Sequence, residues 1–137
     1  MIVLDTDVLS ELMRADMIVV GWLNQQPRTS VWTTSVTVLE IRYGLAIMPA
    51  GRRQSLRSIE FERVIEDDLE RRVLPFDGGA AVQSASLMAR RQLAGRPRDL
   101  RDAVIAGIAL AQRATLATRN DRHFDDLDVP VVDPWQQ

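Results

Sequence analysis

The sequence predicts an α/β protein in which a mainly parallel sheet of four to five strands carries helices on both faces. Short apolar, β-branched runs alternate along the chain with longer stretches of helical periodicity, and this alternation is typical of a parallel sheet covered on both sides. The chain has 137 residues, enough for one hydrophobic core of ordinary size. No linker, internal repeat or low-complexity segment divides it, so we expect a single domain over residues 1–137.

The first elements are a strand and two helices. Met1–Leu4 is an apolar run that predicts a buried strand. Val8–Met13 and Met17–Gln25 have the spacing of helices, and Asp16 is a suitable N-cap for the second of them.

The next elements are a second strand and two further helical stretches. Val31–Thr34 is rich in β-branched and aromatic residues, which predicts a strand. A helix is expected from about Val38 to Ile47, and Thr37–Glu40 fits a capping box. Arg52–Arg72 is long and charged with one apolar face, which favours a helix whose other face is available to a partner.

The second half of the chain repeats the alternation. Val73–Phe76 predicts a short strand at the edge or end of the sheet, because it contains a proline. Gly78 begins a helix that extends to Leu93, and Asp99 can cap another over Leu100–Arg113. A fourth strand is expected at Thr115–Thr118 and a short fifth at 130–132.

Composition excludes several classes of protein. Apolar residues make up 46% and charged residues 26% of the chain, as in a soluble globular protein. There is no cysteine, which rules out disulfides, zinc–thiolate sites and thiol catalysis. All 17 basic residues are arginine, and the net charge is −2. No signal segment and no apolar run of membrane-spanning length is present, so we expect a cytoplasmic protein.

Four acidic residues lie where predicted elements change type: Asp5, Glu40, Asp102 and Asp121. In a parallel sheet such junctions gather at the carboxyl edge of the strands, where open sheets bind ligands. Carboxylates clustered there are suited to a hard divalent cation. Each acid taken alone also has a structural interpretation, as a helix cap or a turn residue.

Four stretches and the C-terminal end of the chain carry a resemblance to a known family. They are residues 2–11, 37–44, 101–106 and 117–124, followed by 132–135. Together they resemble, in order, the PIN-domain toxins of the VapC and FitB type. The resemblance implies a PIN-like fold and a small Mg²⁺- or Mn²⁺-dependent ribonuclease. It also implies a homodimer neutralised by a cognate antitoxin, with RNA as the substrate and no membrane involved.

The resemblance assigns site residues one by one. Asp5, Glu40 and Asp102 match the three central acids of the family, and Thr6 matches a small hydroxyl residue beside the first acid. All three acids, together with Asp121, are expected to be catalytic and to hold the metal.

Two positions depart from the family pattern. The residue two after the first acid is usually Asn but is Asp7 here, which either adds negative charge near the site or serves as another cap. Many relatives place the fourth acid two residues after Thr118, where this chain has Asn120. Either Asp121 supplies the fourth carboxylate, or Asn120 contributes an amide oxygen and Asp121 faces away. Thr118 and Asn120 are therefore expected to support the site.

The mechanism implied requires no histidine base, so the sole histidine, His123, is not expected to act chemically. Four arginines near the motifs are candidates for contacts to RNA phosphates, with surface ion pairs as the alternative: Arg14, Arg42, Arg119 and Arg122.

Three other interpretations compete with a nuclease. Asp5-Thr6-Asp7 after an apolar strand resembles the first motif of haloacid-dehalogenase-type phosphatases, but these generally need a lysine and a longer chain. A phosphoacceptor receiver domain also needs a lysine. A catalytically inactive PIN fold that only binds partners is the third alternative.

Overall fold

The computed structural model of the protein describes all residues, 1–137. Its five strands and six helices alternate along the chain as the sequence predicts. In order they are β1 (Ile2–Leu4), α1 (Thr6–Met13), α2 (Met17–Asn24), β2 (Val31–Thr34), α3 (Ser35–Ala46), α4 (Arg52–Arg63), β3 (Val73–Leu74), α5 (Gly78–Leu93), α6 (Leu100–Gln112), β4 (Thr115–Ala117) and β5 (Val131–Val132). None of the helices combines the length and apolar character needed to cross a membrane.

The five strands form one sheet in the order β3-β2-β1-β4-β5, and every neighbouring pair is parallel. The predicted parallel α/β fold is therefore confirmed. Strand β1 is central, with Ile2 opposite Val31 of β2 on one side and Thr115 of β4 on the other. The chain leaves β1 towards one side of the sheet and later returns on the other. This switch point beside β1 is where an open α/β sheet forms a crevice at its carboxyl edge.

Two apolar clusters lie on the two faces of the sheet, because successive side chains of a strand point to opposite faces. Leu4 packs into a cluster of 14 buried residues that includes side chains of α1, α2, α3 and α4. Val3, its neighbour in β1, packs into a second cluster of 11 buried residues, with α5 and α6. Both β1 residues are fully buried, and the central strand therefore joins the two halves of the core.

Helices α5 and α6 approach each other closely at Gly107. A Cβ atom added there would lie 1.8 Å from the Ser84 hydroxyl oxygen and 2.7 Å from the Ala80 carbonyl oxygen. Only glycine fits between the two helices at this point without displacing backbone.

Two predictions of helix ends are wrong. Helix α3 begins at Ser35, three residues before the predicted start, because the Thr34 side chain caps it by accepting the Thr37 N–H at 3.0 Å. The proposed capping box at Thr37–Glu40 does not form, since these residues already lie inside the helix. The helix expected across Arg52–Arg72 ends at Arg63. A single wider helical turn, Val64–Asp68, follows it before β3. The predicted caps Asp16 and Asp99 are confirmed.

Candidate active site

Asp5 lies at the carboxyl end of β1, where the strand meets α1. Its backbone N–H donates to the Ala117 carbonyl of β4 at 2.9 Å, so the residue ends the β1–β4 ladder. One carboxylate oxygen accepts the Thr6 N–H and the other accepts the Thr118 hydroxyl, both at 2.8 Å. Only 6% of the residue is exposed. The carboxylate is thus fixed in position and largely removed from water.

The environment of Asp5 disfavours its charged form. The pKa of its carboxyl group is raised to about 7, mainly by burial and then by the negative charge of Asp7. The charge of Asp102 acts in the same direction, whereas the hydrogen bonds from Thr118 and Thr6 oppose the change. Carboxylates held together in this way are stabilised by a nearby cation. The carboxyl edge therefore has the electrostatic character of a cation site.

Glu40 is on α3 and reaches the first helix through Thr6. The Thr6 hydroxyl donates to one Glu40 carboxylate oxygen at 2.9 Å, and it also lies 3.0 Å from the Thr37 hydroxyl. The other Glu40 oxygen lies 3.4 Å from an Arg101 guanidinium nitrogen. Thr6 thus connects the segments that carry Asp5 and Glu40, and Arg101 connects Glu40 to α6.

Asp102 is in the first turn of α6, and His123 is its neighbour. The Nδ1 atom of His123 lies 3.1 Å from an Asp102 carboxylate oxygen. His123 belongs to the single helical turn Asp121–Phe124, which follows β4. No signal in the sequence joins these two residues, because they are far apart in the chain and one histidine is weak evidence.

Asp7 connects α1 to the loop after β4. It accepts hydrogen bonds from the Val8 N–H at 2.7 Å, the Arg119 N–H at 3.0 Å and the Asn120 side-chain amide at 3.3 Å. Burial raises the pKa of the Asp7 carboxyl group, while the hydrogen bonds from the Arg119 and Val8 backbone oppose the change. Asp7 thus adds negative charge near Asp5 and also acts as a cap, since its oxygens accept hydrogen bonds from nearby backbone N–H groups.

Asn120 and Asp121 differ in their contacts with the acidic residues. The amide of Asn120 donates to Asp7, and its backbone N–H donates to the Thr118 hydroxyl oxygen at 3.1 Å. Asp121 is exposed on the following turn. It lines an outer cavity of about 410 Å³ with Asn120, Arg122 and His123, and none of Asp5, Glu40 and Asp102 lines that cavity.

The four acids do not form a ready-made cage, since no group of three or more acidic or histidine side chains is arranged to hold a metal ion. The case for Mg²⁺ or Mn²⁺ therefore rests on the type of ligand atom and not on a preformed geometry. Every candidate ligand is an oxygen, as these ions prefer. Mg²⁺ keeps several waters and is commonly held by only one or two carboxylates, which Asp5 and Asp102 can supply. The raised pKa of Asp5 agrees with a site that binds a cation.

A second cavity of about 350 Å³ opens beside Thr6 and Glu40. Its floor is apolar, and its rim is basic. The floor consists of Met13, Ile41, Leu45 and Met48, and the rim carries Arg14, Arg53, Arg57 and Arg101. Only Arg14 among these rim residues was expected from the sequence. Nothing in the local pattern indicates that Arg53 and Arg57 of α4 and Arg101 of α6 lie beside α1 and α3.

Arg14 forms an ion pair with Glu11 at 3.0 Å, and the other three candidate arginines lie outside this cavity. Arg42 forms an ion pair with Glu62 at 2.6 Å, and its guanidinium group also lies 5.0 Å from the Phe61 ring centre. The guanidinium group of Arg119 stacks on Trp135, with its central carbon 3.6 Å from the ring centre. Arg122 is exposed and lines the outer cavity with Asp121. Arg42 is the least available of them for an RNA phosphate.

Comparisons of the chain with known proteins all indicate the same family. The sequence model of the PIN domain family matches residues 2–130. The chain is 38% identical to VapC ribonuclease Y4jK of Sinorhizobium fredii, with 99% of both chains covered. It is 33% identical to Toxin FitB of Neisseria gonorrhoeae, covering 98% of this chain and 99% of the toxin. The crystal structure of FitAcB from Neisseria gonorrhoeae superposes with a TM-score of 0.85 at 32% identity, over the full length of both chains.

Proposed function

Because the chain belongs to the PIN domain family, we propose that it is a metal-dependent ribonuclease that acts as the toxin of a toxin–antitoxin pair. The similarity to a VapC ribonuclease and to a FitB toxin extends over nearly the whole chain, which supports the proposal of a single PIN domain over residues 1–137. The family match leaves the phosphatase and receiver-domain interpretations without support.

One observation carries the chemical part of the proposal. The Asp5 carboxylate is buried at the carboxyl edge of the sheet beside the charges of Asp7 and Asp102, and its pKa is raised to about 7. A fold gains nothing from an isolated buried charge, since burial without compensation costs stability. A divalent cation at this edge would offset the negative charge that Asp5, Asp7 and Asp102 place together.

In this mechanism Asp5 and Asp102 hold the cation, and Glu40 completes the acidic group. When bound, Mg²⁺ or Mn²⁺ supplies an activated water and offsets the charge that develops on the phosphodiester. Thr118 and the Thr6 N–H fix the two oxygens of Asp5, while the Thr6 hydroxyl orients Glu40. Asn120 supports the site through Asp7, and Asp121 acts at longer range from the exposed turn.

The substrate must bring phosphate groups to an acidic edge, and nearby arginines offset the repulsion. Arg101 lies beside Glu40, and Arg14 lines the same cavity. Guanidinium groups pair with phosphate oxygens through two parallel hydrogen bonds. The apolar floor of that cavity offers a surface for a nucleobase next to the cleaved bond.

The partners proposed are a second copy of the chain and a cognate antitoxin. An apolar stripe at four-residue spacing is exposed along α3 and its C-cap residue, and it consists of Leu39, Tyr43 and Ile47, each more than 60% exposed. Leu56 and Ile59 of α4 are also exposed apolar residues. Such side chains are suited to burial against another protein.

The test is cleavage of single-stranded RNA with Mg²⁺ or Mn²⁺, with and without a chelator. Activity should disappear on chelation, return with either ion, and be lost in the folded variants Asp5→Asn and Asp102→Asn. Asp128→Asn removes a carboxylate from an exposed position and serves as the control for net charge. Added metal should also raise the melting temperature, since an ion that binds the native state stabilises it.

Undiminished cleavage after thorough chelation would contradict the proposed mechanism. A folded protein that binds RNA or a protein partner but cleaves nothing in any metal would favour the inactive PIN-fold alternative.

A further inference from the structure

A cleft lined almost entirely by arginine lies where α5 ends and the loop to α6 begins. We call it the arginine cleft, and its lining residues are Arg90, Arg91, Ala94, Arg96, Arg98 and Asp126. Its volume is about 200 Å³. Four cations face one carboxylate here, in a protein whose net charge is −2.

Two of the four arginines have structural partners. Arg91 forms two parallel hydrogen bonds to Asp126, both at 2.9 Å. Arg98 pairs with Asp125 at 3.2 Å and donates to the Arg122 carbonyl at 3.0 Å. These contacts hold the turn 121–126 against α5, and they account for the positions of Arg91 and Arg98.

The remaining donors have no such explanation. Arg90 and Arg96 have no carboxylate within ion-pair distance, although the cleft brings them together with the paired arginines. Arg91 itself is only 4% exposed, and its Nη1 atom is buried without a hydrogen-bond partner in the protein. The charge of Arg91 is paired with Asp126, but a buried donor atom without an acceptor is costly, and such an atom usually binds water, an ion or a ligand.

We propose that the arginine cleft binds a phosphate group of the RNA substrate, on the strand beyond the cleaved bond. The volume is below the roughly 300–1,000 Å³ of small-molecule pockets, which suits one phosphate rather than a whole nucleotide. Arginine is the residue best shaped to bind phosphate oxygens in pairs. This inference rests on the proposed ribonuclease activity.

The cleft is connected to the catalytic edge through the turn that it supports. Arg91 donates to the His123 carbonyl at 2.9 Å, and the ring of that histidine contacts Asp102. A strand that leaves the carboxylates across the 121–126 turn therefore meets the arginine cleft next. The same phosphate chemistry could also come from a free phosphate ligand, and the experiment separates the two sources.

The test compares the double variant Arg90→Gln/Arg96→Gln with Arg71→Gln/Arg113→Gln. Both remove two charges, but Arg71 and Arg113 precede β3 and β4 at the opposite, amino edge of the sheet. Arg91 and Arg98 are left intact because they hold the turn. Initial rates of RNA cleavage with Mg²⁺ are measured over a range of salt concentrations, and melting is followed without metal in inorganic phosphate or in chloride of equal ionic strength.

We expect the cleft variant to raise KM about tenfold near 0.15 M salt, with the loss falling on KM rather than kcat. The slope of log(kcat/KM) against log salt should become shallower by about 0.7, since each phosphate of a single strand that the protein neutralises contributes about 0.7. The control variant should match the parent protein. Inorganic phosphate should raise the melting temperature of the parent and the control but not of the cleft variant.

If KM is unchanged but the phosphate-dependent rise in melting temperature is lost, the cleft binds free phosphate and its assignment to RNA is wrong. Equal effects in both double variants, or no effect in either assay, would overturn the site altogether. If the parent protein cleaves no RNA, the proposed function fails, and the melting experiment alone then decides whether the cleft binds phosphate.

Discussion

Replacing Asp5 by Asn should abolish cleavage and at the same time stabilise the metal-free protein at alkaline pH. The pKa of the Asp5 carboxyl group is about 7 in the folded protein, against 3.8 in the unfolded chain. At a pH well above 7 the folded state therefore carries a cost of up to about 4 kcal/mol for keeping this group ionised. The amide removes that cost, and its carbonyl oxygen can still accept the Thr6 N–H.

The destabilisation caused by ionised Asp5 increases with pH. The folded protein binds this proton more tightly than the unfolded chain, so the cost is absent below about pH 4, grows between pH 4 and 7, and is complete above pH 7. The stability gained by Asp5→Asn should follow the same course. It should be near zero at about pH 4 and reach its largest value, up to about 4 kcal/mol, at about pH 8.

The assay is urea unfolding of both proteins at several pH values in the presence of a chelator, alongside RNA cleavage with Mg²⁺. Asp128→Asn, which removes an exposed carboxylate, controls for the change in net charge. Added Mg²⁺ should stabilise only the parent protein and narrow the difference. A variant that is less stable than the parent at alkaline pH, or that differs from it equally at all pH values, would refute the idea that ionised Asp5 destabilises the metal-free fold.

Three further predictions concern the surroundings of the site and the core. Asn120→Ala should weaken cleavage about 10–100-fold, since it removes a support of the acidic group, whereas Asp121→Ala should have a smaller effect. The Mg²⁺ dependence of cleavage tests this, and an inactive Asp121→Ala beside a fully active Asn120→Ala would make Asp121 a direct ligand. Thr6→Val should lower kcat about 10–100-fold because Glu40 loses its hydrogen-bond donor, whereas Thr6→Ser should retain activity. Equal losses of kcat in both variants would show that the Thr6 hydroxyl does not orient Glu40. Gly107→Ala should destabilise the protein by about 1–3 kcal/mol through overpacking, and Gly21→Ala, at an open helix position, should be neutral or slightly stabilising in the same thermal melts.

The sequence was sufficient for the alternation of strands and helices and for the placement of Asp5 and Asp102 at one edge of the sheet. Both predictions depend on local signals. Strand β1 is a short apolar run, and Asp99 caps the helix that carries Asp102. In a parallel sheet, the end of a strand and the start of a neighbouring helix are brought to one edge by topology alone.

Helix ends were harder to predict, because several residues compete for one role. Thr34 and Thr37 are both suitable caps for α3, and the choice depends on where β2 stops pairing with its neighbours. Since β2 pairs with β3 as far as Thr34, that residue becomes the cap, and Thr37 is left to join the hydroxyl contacts around Thr6.

The sequence by itself thus determined the fold class, the order of the elements and the acidic character of the carboxyl edge of the sheet, because periodicity and junction residues are local properties of the chain. Only the tertiary structure decided which side chains meet across that edge. The contact of His123 with Asp102, the contact of Asn120 with Asp7 and the arginine cleft all join residues from different elements. Such contacts depend on how helices pack on the sheet and on the course of the loops between them, and no local pattern specifies either.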